Sequence, residues 1–186
     1  MSKFEFVMVV VAILLGMSLV QTIRGLGSAV RSQSRYVPLT LWLVVLFIQH
    51  VQLWWSLWDL ESTIRDWTLG TFYLIVLVPC SLLAATDALA PRGAASDVDA
   101  REHFYRVSPW FYSLLLLYTG FSVAWTWLLD GVALDHFLRV LEATGALAIV
   151  MGLVWRDRNV HSIAAVLYLL MLLVGQLMFR PSLMGA

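Results

Sequence analysis

The stretch FEFVMVVVAILLGMSLVQTI, residues 4–23, decides the fold of this chain. Glu5 is its only charged residue, and the remainder is almost entirely apolar. A helix needs about 20 mostly apolar residues to cross the roughly 30 Å hydrocarbon core of a bilayer. The stretch therefore predicts a helix that crosses a membrane and is retained as the first span.

The composition of the whole chain also fits lipid as the solvent. Of 186 residues, 61% are hydrophobic and 13% are charged, and the mean hydropathy is +0.83. Soluble domains carry about a quarter charged residues. The 12 basic and 12 acidic residues balance, so no bulk field attracts nucleic acid and no such partner is expected. The only cysteine, Cys80, excludes an intrachain disulfide, and neither a metal nor another cofactor is expected.

Five more apolar segments follow the first. We therefore predict an all-α, polytopic membrane helix bundle with about six transmembrane helices in a single domain, 1–186. The predicted spans are residues 4–23, 38–60, 69–89, 110–129, 137–155 and 160–179.

The first helix is expected to continue to about Ser32, because small and polar residues repeat on one of its faces. This face contains Ser18, Gln21, Gly25 and Ser28. It predicts a small-residue packing seam, with a pore lining as the alternative.

The arginines predict the orientation. The connections after the first, third and fifth spans hold Arg24, Arg31, Arg35, Arg92, Arg101, Arg106, Arg156 and Arg158, whereas the other side has Lys3, Arg65, Arg139 and Arg180. Basic residues are retained on the cytoplasmic side, so both termini are predicted to face outward (N-out, C-out). Residues 90–109 are then a cytoplasmic interfacial segment. Its Phe104 and Tyr105 suggest an anchor on an anionic leaflet, with a partner-binding helix as the alternative.

Polar side chains at membrane depth are costly and are the first candidates for function. In the second span Gln49, Gln52, Ser56 and Asp59 share one stripe, while His50 points about 100° away from Gln49. The stripe fits either a water-filled vestibule or hydrogen bonds between helices. His50 fits a proton relay, a pH sensor, a haem ligand or a neutral histidine bonded to a neighbouring helix.

Glu142 in the fifth span is the remaining ionisable candidate. Arg139 precedes it by three residues, a spacing that permits a local ion pair. If the fifth span packs near the second, Glu142 would approach Gln52 and His50 and could form an ion, proton or ligand site with them.

For several activities of membrane proteins, the sequence lacks a residue or motif that the mechanism requires. Retinal needs a lysine inside a span, and the only lysine is Lys3. A voltage-sensor arginine repeat, a potassium filter and a His-Glu-x-x-His motif are also missing. Serine hydrolysis is disfavoured, because Leu19 and Val123 follow the serines of Gly16-Met17-Ser18 and Gly120-Phe121-Ser122 where a glycine is wanted. No catalytic residue is predicted, and we do not expect an enzyme.

Several short stretches resemble one group of proteins. They are Arg24-Gly25-Leu26-Gly27, His50-Val51-Gln52-Leu53-Trp54-Trp55, Trp67-Thr68, Phe104-Tyr105-Arg106 and Trp110-Phe111. Together they are similar to small bacterial six-helix integral membrane proteins that are described only as hypothetical. The resemblance implies a bacterial inner (cytoplasmic) membrane and brings no activity with it.

The sequence thus predicts a small channel, transporter or membrane sensor in contact with the lipid bilayer. Homo-oligomerisation is expected, because a 21.0 kDa bundle encloses little volume for a private conduit. One alternative is a noncatalytic subunit or scaffold whose tryptophan-rich second span docks a partner membrane protein. Another is an electron-transfer subunit with His50 as a haem or quinone contact.

Overall fold

The computed structural model describes residues 2–32, 35–57, 61, 64, 67–90, 99–128 and 136–178. In these ranges the chain forms six α-helices and no β-strand. They are α1 (Lys3–Arg31), α2 (Val37–Ser56), α3 (Leu69–Leu89), α4 (Ala100–Leu128), α5 (His136–Val154) and α6 (Arg158–Met178). All except α5 are long and apolar enough to cross a membrane. The structure confirms the predicted all-α membrane bundle.

The first helix is longer than a bilayer requires. It begins with a capping box, in which the Glu5 amide donates to Ser2 Oγ at 3.1 Å and the Ser2 amide donates to the Glu5 carboxylate at 2.7 Å. Its 29 residues correspond to roughly 44 Å at 1.5 Å per residue. The helix ends at Arg31 with Ser32 as its C-cap, close to the predicted end. Its arginine-bearing last turns therefore extend beyond the hydrocarbon.

The helices close into a ring in the order α1, α3, α4, α5, α6, α2, and α2 returns to α1. Helix α2 also contacts α3 and α4, so it lies nearest the centre of the bundle. Its Trp42 is 0% exposed and packs against Phe111, Tyr112 and Tyr168 of α4 and α6. An aromatic cluster between α2, α4 and α6 therefore forms one part of the core.

The outer surface is apolar along most helices. Large exposed side chains include Val9, Ile13, Met17 and Val20 on α1, Trp54 and Trp55 on α2, and Ile163, Leu170 and Leu177 on α6. In a membrane these faces contact lipid. The charged residues Arg31, Arg101, Arg156 and Arg158 collect where α1, α3 and α5 end and α2, α4 and α6 begin. We call this the arginine-rich end.

The structure differs from the prediction at the start of the fourth span. Helix α4 begins at Ala100 and runs through Pro109, so residues 100–109 are continuous with the span and not a separate interfacial helix. Proline lacks an amide hydrogen and frees the carbonyl four residues earlier. The freed oxygen of Tyr105 accepts from Ser108 Oγ and from the Arg156 guanidinium, each at 3.4 Å. These substitute donors allow the helix to continue.

The predicted surface anchor is therefore wrong for Phe104. Its ring is fully buried, with ring centroids 5.3 Å from Tyr36 and 5.0 Å from His161. The preceding residues 91–98 of the predicted interfacial segment lie outside the described residues.

Candidate functional site

His50 lies where α1, α2 and α3 meet and is 2% exposed. Its Nδ1 is 2.6 Å from the Leu46 carbonyl oxygen, and its Nε2 is 2.5 Å from Ser18 Oγ of α1. Ser18 Oγ is in turn 3.1 Å from Thr86 Oγ1 of α3. Thr86 Oγ1 lies 2.9 Å from the Leu82 carbonyl oxygen, to which it donates. We call His50, Ser18 and Thr86 the His50 centre; it joins three helices through side chains.

The geometry restricts the tautomer of His50. A carbonyl oxygen can only accept, so Nδ1 carries a hydrogen and donates to Leu46. In a neutral imidazole Nε2 is then bare and accepts from the Ser18 hydroxyl, so the Ser18–Thr86 bond needs the Thr86 hydrogen, which turns away from the Leu82 carbonyl. In an imidazolium Nε2 donates to Ser18, and Ser18 and Thr86 pass their own hydrogens on toward Leu82. Both arrangements use the same heavy-atom positions.

Small residues of α1 bring the three helices close enough for these bonds. A Cβ on Gly25 would lie 3.1 Å from Leu43 Cδ2 and 3.4 Å from Ala90 Cβ, which leaves little room for any side chain. Ser18 and Thr22 are buried, and Thr22 Oγ1 donates to the Ser18 carbonyl at 3.0 Å. Gln21 and Ser28, the other stripe residues, are half-buried. This geometry is that of a packed helix seam.

The glutamines of α2 form hydrogen bonds with other helices. Gln49 Nε2 donates to the Tyr118 hydroxyl of α4 at 2.7 Å, and the Tyr168 hydroxyl of α6 donates to Gln49 Oε1 at 3.4 Å. Gln52 Nε2 donates to the Leu172 carbonyl at 2.9 Å. Of the two interpretations of the polar stripe on α2, a water-filled vestibule or hydrogen bonds between helices, these contacts match the second. The remaining stripe residues are not part of it: Ser56 is exposed and donates to Leu53 of its own helix, and Asp59 lies outside the described residues.

Glu142 does not join these groups. Its carboxylate accepts from the Arg139 guanidinium at 2.6 Å and from Thr126 Oγ1 of α4 at 3.4 Å. It thus faces α4, whereas His50 faces α1 and Gln52 faces α6. The shared site of Glu142, Gln52 and His50 that the sequence allowed is not formed, because α5 packs between α4 and α6.

The other described histidines, His103 and His161, each form a hydrogen bond with a residue outside the His50 centre. The His103 ring nitrogen Nε2 donates to the Leu89 carbonyl at 3.0 Å and so caps the end of α3. His161 Nδ1 lies 2.9 Å from the Tyr112 hydroxyl, and the two rings stack. Within the described ranges, no three His, Cys, Asp or Glu side chains come together to hold a metal ion. A haem ligand at His50 would have to displace Leu46 or Ser18.

The pairing of Ser18 with His50 does not make a hydrolytic site. Ser18 is fully buried within α1, where backbone amides are used in helical hydrogen bonds. Acyl transfer needs free donors for an oxyanion beside the nucleophile.

Sequence reasoning singled out His50 and Ser18 but missed Thr86, the third member of the centre. Thr86 stands beside Asp87, the more conspicuous residue, and nothing in the sequence gives the contact between α1 and α3. No family model, curated protein or solved structure matches the chain.

Proposed function

We propose that this chain is a proton-responsive membrane sensor, and that the His50 centre is its responding element. It would be a noncatalytic protein of the bacterial inner membrane, with both termini outside. The single observation that supports this function is the bonding of both His50 ring nitrogens to oxygens, one of which links α2 to α1 and α3.

Histidine is the side chain whose charge ordinarily changes between about pH 5 and pH 8. A second proton on His50 reverses the Ser18 hydrogen bond and creates a positive charge at a buried position. Its bonded neighbours are a carbonyl and a hydroxyl, both neutral. The titratable residues nearest along the partner helices are Asp87, beside Thr86, and Arg24, at the arginine-rich end; neither is bonded to His50.

A buried charge without a counter-ion is costly in free energy. Protonation therefore favours a state in which the seam between α1, α2 and α3 opens to water. A sensor needs such a pair of states with different affinities for the stimulus. The ligand here is the proton, and the output is a change in how α1 packs on α2 and α3.

The sensor is the best supported of the expected roles. Gln49 and Gln52 bond to neighbouring helices, which fits packing better than a conduit for a channel or transporter. A haem contact would break the bonds that His50 already has. The scaffold alternative rests on Trp54 and Trp55, whose exposure is equally suited to lipid contact near the end of a span. Homo-oligomerisation stays a prediction, to be read from the mass of the solubilised particle.

Amide hydrogen exchange in lipid nanodiscs tests this function. At about pH 5, after correction for intrinsic exchange rates, we expect the wild-type chain to exchange faster around Ser18 and Thr86 than at about pH 7.5. His50→Gln removes the titratable ring but keeps an amide that can bond near the Nε2 position. It is expected to lose most of this acid response.

His161→Gln is the matched control, because it removes another buried histidine that lies on α6 and bonds to α4, outside the seam. It should respond to acid as the wild-type chain does. A wild-type chain without an acid response in α1 and α3, or an equal response in His50→Gln, would refute the sensor.

A further inference from the structure

The arginine-rich end contains two buried polar atoms without a hydrogen-bond partner among the described residues. Tyr36, just before α2, is 6% exposed, and its hydroxyl has no hydrogen-bond partner of ordinary geometry among the described residues. The buried Nε2 of His161 is unpartnered in the same sense. Tyr36 packs on Phe104 and Tyr105, and His161 packs on the same two rings. Two unsatisfied buried polar atoms thus adjoin one aromatic surface.

Guanidinium groups surround this surface. Arg101 Cζ lies 5.8 Å from the centroid of the Tyr105 ring. Burial and the neighbouring Tyr105 side chain raise the pKa of the Tyr36 phenol, while the positive charges of Arg101 and Arg158 act on the same hydroxyl and oppose that rise. Neither arginine forms an ion pair with a described carboxylate. The charges of these two guanidinium groups therefore favour an anion near the Tyr36 hydroxyl.

Two described acidic residues near this aromatic surface, Asp157 and Asp99, already accept hydrogen bonds from backbone amides. Asp157 Oδ1 accepts from the amides of Asn159 and Val160 at 2.8 and 3.3 Å, so it caps α6. Asp99 Oδ1 accepts from the Arg101 amide at 2.8 Å. The exposed Glu102 is the remaining described acid on the first turn of α4. Among the described residues, the Tyr36 hydroxyl thus has no carboxylate bonded to it.

We infer that Tyr36, Arg101 and Arg158 bind a phosphate group, and that it belongs to an anionic phospholipid of the adjoining leaflet. Phosphate offers several acceptor oxygens and suits guanidinium donors. The three residues stand where α2, α4 and α6 begin, which is headgroup depth for spans of this length. Basic pockets between helices on the cytoplasmic side bind anionic headgroups in this way.

Native mass spectrometry of the detergent-solubilised full chain tests the site. Phosphatidylglycerol and phosphatidylcholine are offered at equal concentration, and the lipid retained by the protein is counted. We expect phosphatidylglycerol to be preferred. Tyr36→Phe removes one oxygen and keeps the ring packing, and it should weaken retention roughly tenfold, as should Arg158→Gln.

Tyr73→Phe is the control, because Tyr73 is an exposed tyrosine near the opposite end of α3. It should retain phosphatidylglycerol as the wild-type chain does, and circular dichroism should show all variants equally helical. Inorganic phosphate is added in a separate arm. If inorganic phosphate does not reduce the retention of phosphatidylglycerol, the bound phosphate group belongs to a lipid. If inorganic phosphate displaces the lipid, the same site binds a phosphate group from a soluble source.

Equal retention of the two lipids by the wild-type chain would overturn the inference. Tyr36→Phe and Arg158→Gln variants that both retain phosphatidylglycerol fully would also overturn it. His50 is unchanged in every one of these variants. The result of the lipid-binding experiment is therefore independent of the result of the hydrogen-exchange test of the sensor.

Discussion

Trp42→Ala is expected to destabilise the bundle by about 3–5 kcal/mol, the range for truncating a fully buried large aromatic residue. The indole packs at centroid distances of 5.2, 5.3 and 5.7 Å from Phe111, Tyr112 and Tyr168. Its removal would leave a cavity between α2, α4 and α6. Reversible unfolding in mixed detergent micelles, followed by circular dichroism, gives the free energy of unfolding.

Trp54→Ala is the matched control in the same helix. Trp54 is 51% exposed, so its truncation removes contacts with lipid more than with protein. We expect a loss below about 1 kcal/mol. Equal destabilisation by the two substitutions would contradict the assignment of Trp42 to the core.

Gly152→Ala is expected to destabilise the chain by about 3 kcal/mol, the upper part of the usual range for overpacking. A Cβ at Gly152 of α5 would overlap the Tyr112 ring and lie 2.6 Å from its hydroxyl oxygen. That ring cannot easily move, because it is buried, stacks on His161 and bonds to His161 Nδ1 at 2.9 Å. Helices α4 and α5 would have to separate. Thermal unfolding in detergent measures the loss.

Gly120→Ala is the control for adding a methyl group to a helical glycine. A Cβ at Gly120 of α4 would meet no heavy atom within 4 Å. The greater helix propensity of alanine should stabilise this variant by up to about 1 kcal/mol. A Gly152→Ala variant as stable as Gly120→Ala would show that α4 and α5 do not pack as described.

Hydropathy and helical periodicity were sufficient to predict six helices, of which all but α5 are long and apolar enough to span a membrane. The apolar run 4–23 predicts α1, and its small-residue stripe correctly extends the helix to the vicinity of Ser32. The fourth helix was harder, since proline usually ends a helix. Pro109 leaves the Tyr105 carbonyl without its helical donor, and one of the donors that replace it is Arg156. Arg156 is 51 residues from Tyr105 in the chain. Sequence patterns cannot reveal such a distant contact.

The candidate site was only partly predictable for the same reason. The cost of polar groups in hydrocarbon identifies His50, Gln49 and Glu142 as residues that need partners. The identity of the partners depends on which helix faces meet. The local pair of Arg139 and Glu142 follows from their spacing, whereas Ser18 is 32 residues from His50 and Thr86 is 68 from Ser18.

The proposed sensor depends on His50 donating through Nδ1 and exchanging a hydrogen bond with Ser18 through Nε2. Solid-state nitrogen NMR of the ¹⁵N-histidine-labelled chain in bilayers, with His50 assigned by comparison with His50→Gln, tests it most directly. At about pH 7.5 we predict an imidazole protonated at Nδ1 and bare at Nε2, with an Nε2 shift that changes in Ser18→Ala. On acidification, Nε2 should gain a proton. An Nε2-protonated neutral ring, or an Nε2 signal unaffected by Ser18→Ala, would contradict the account.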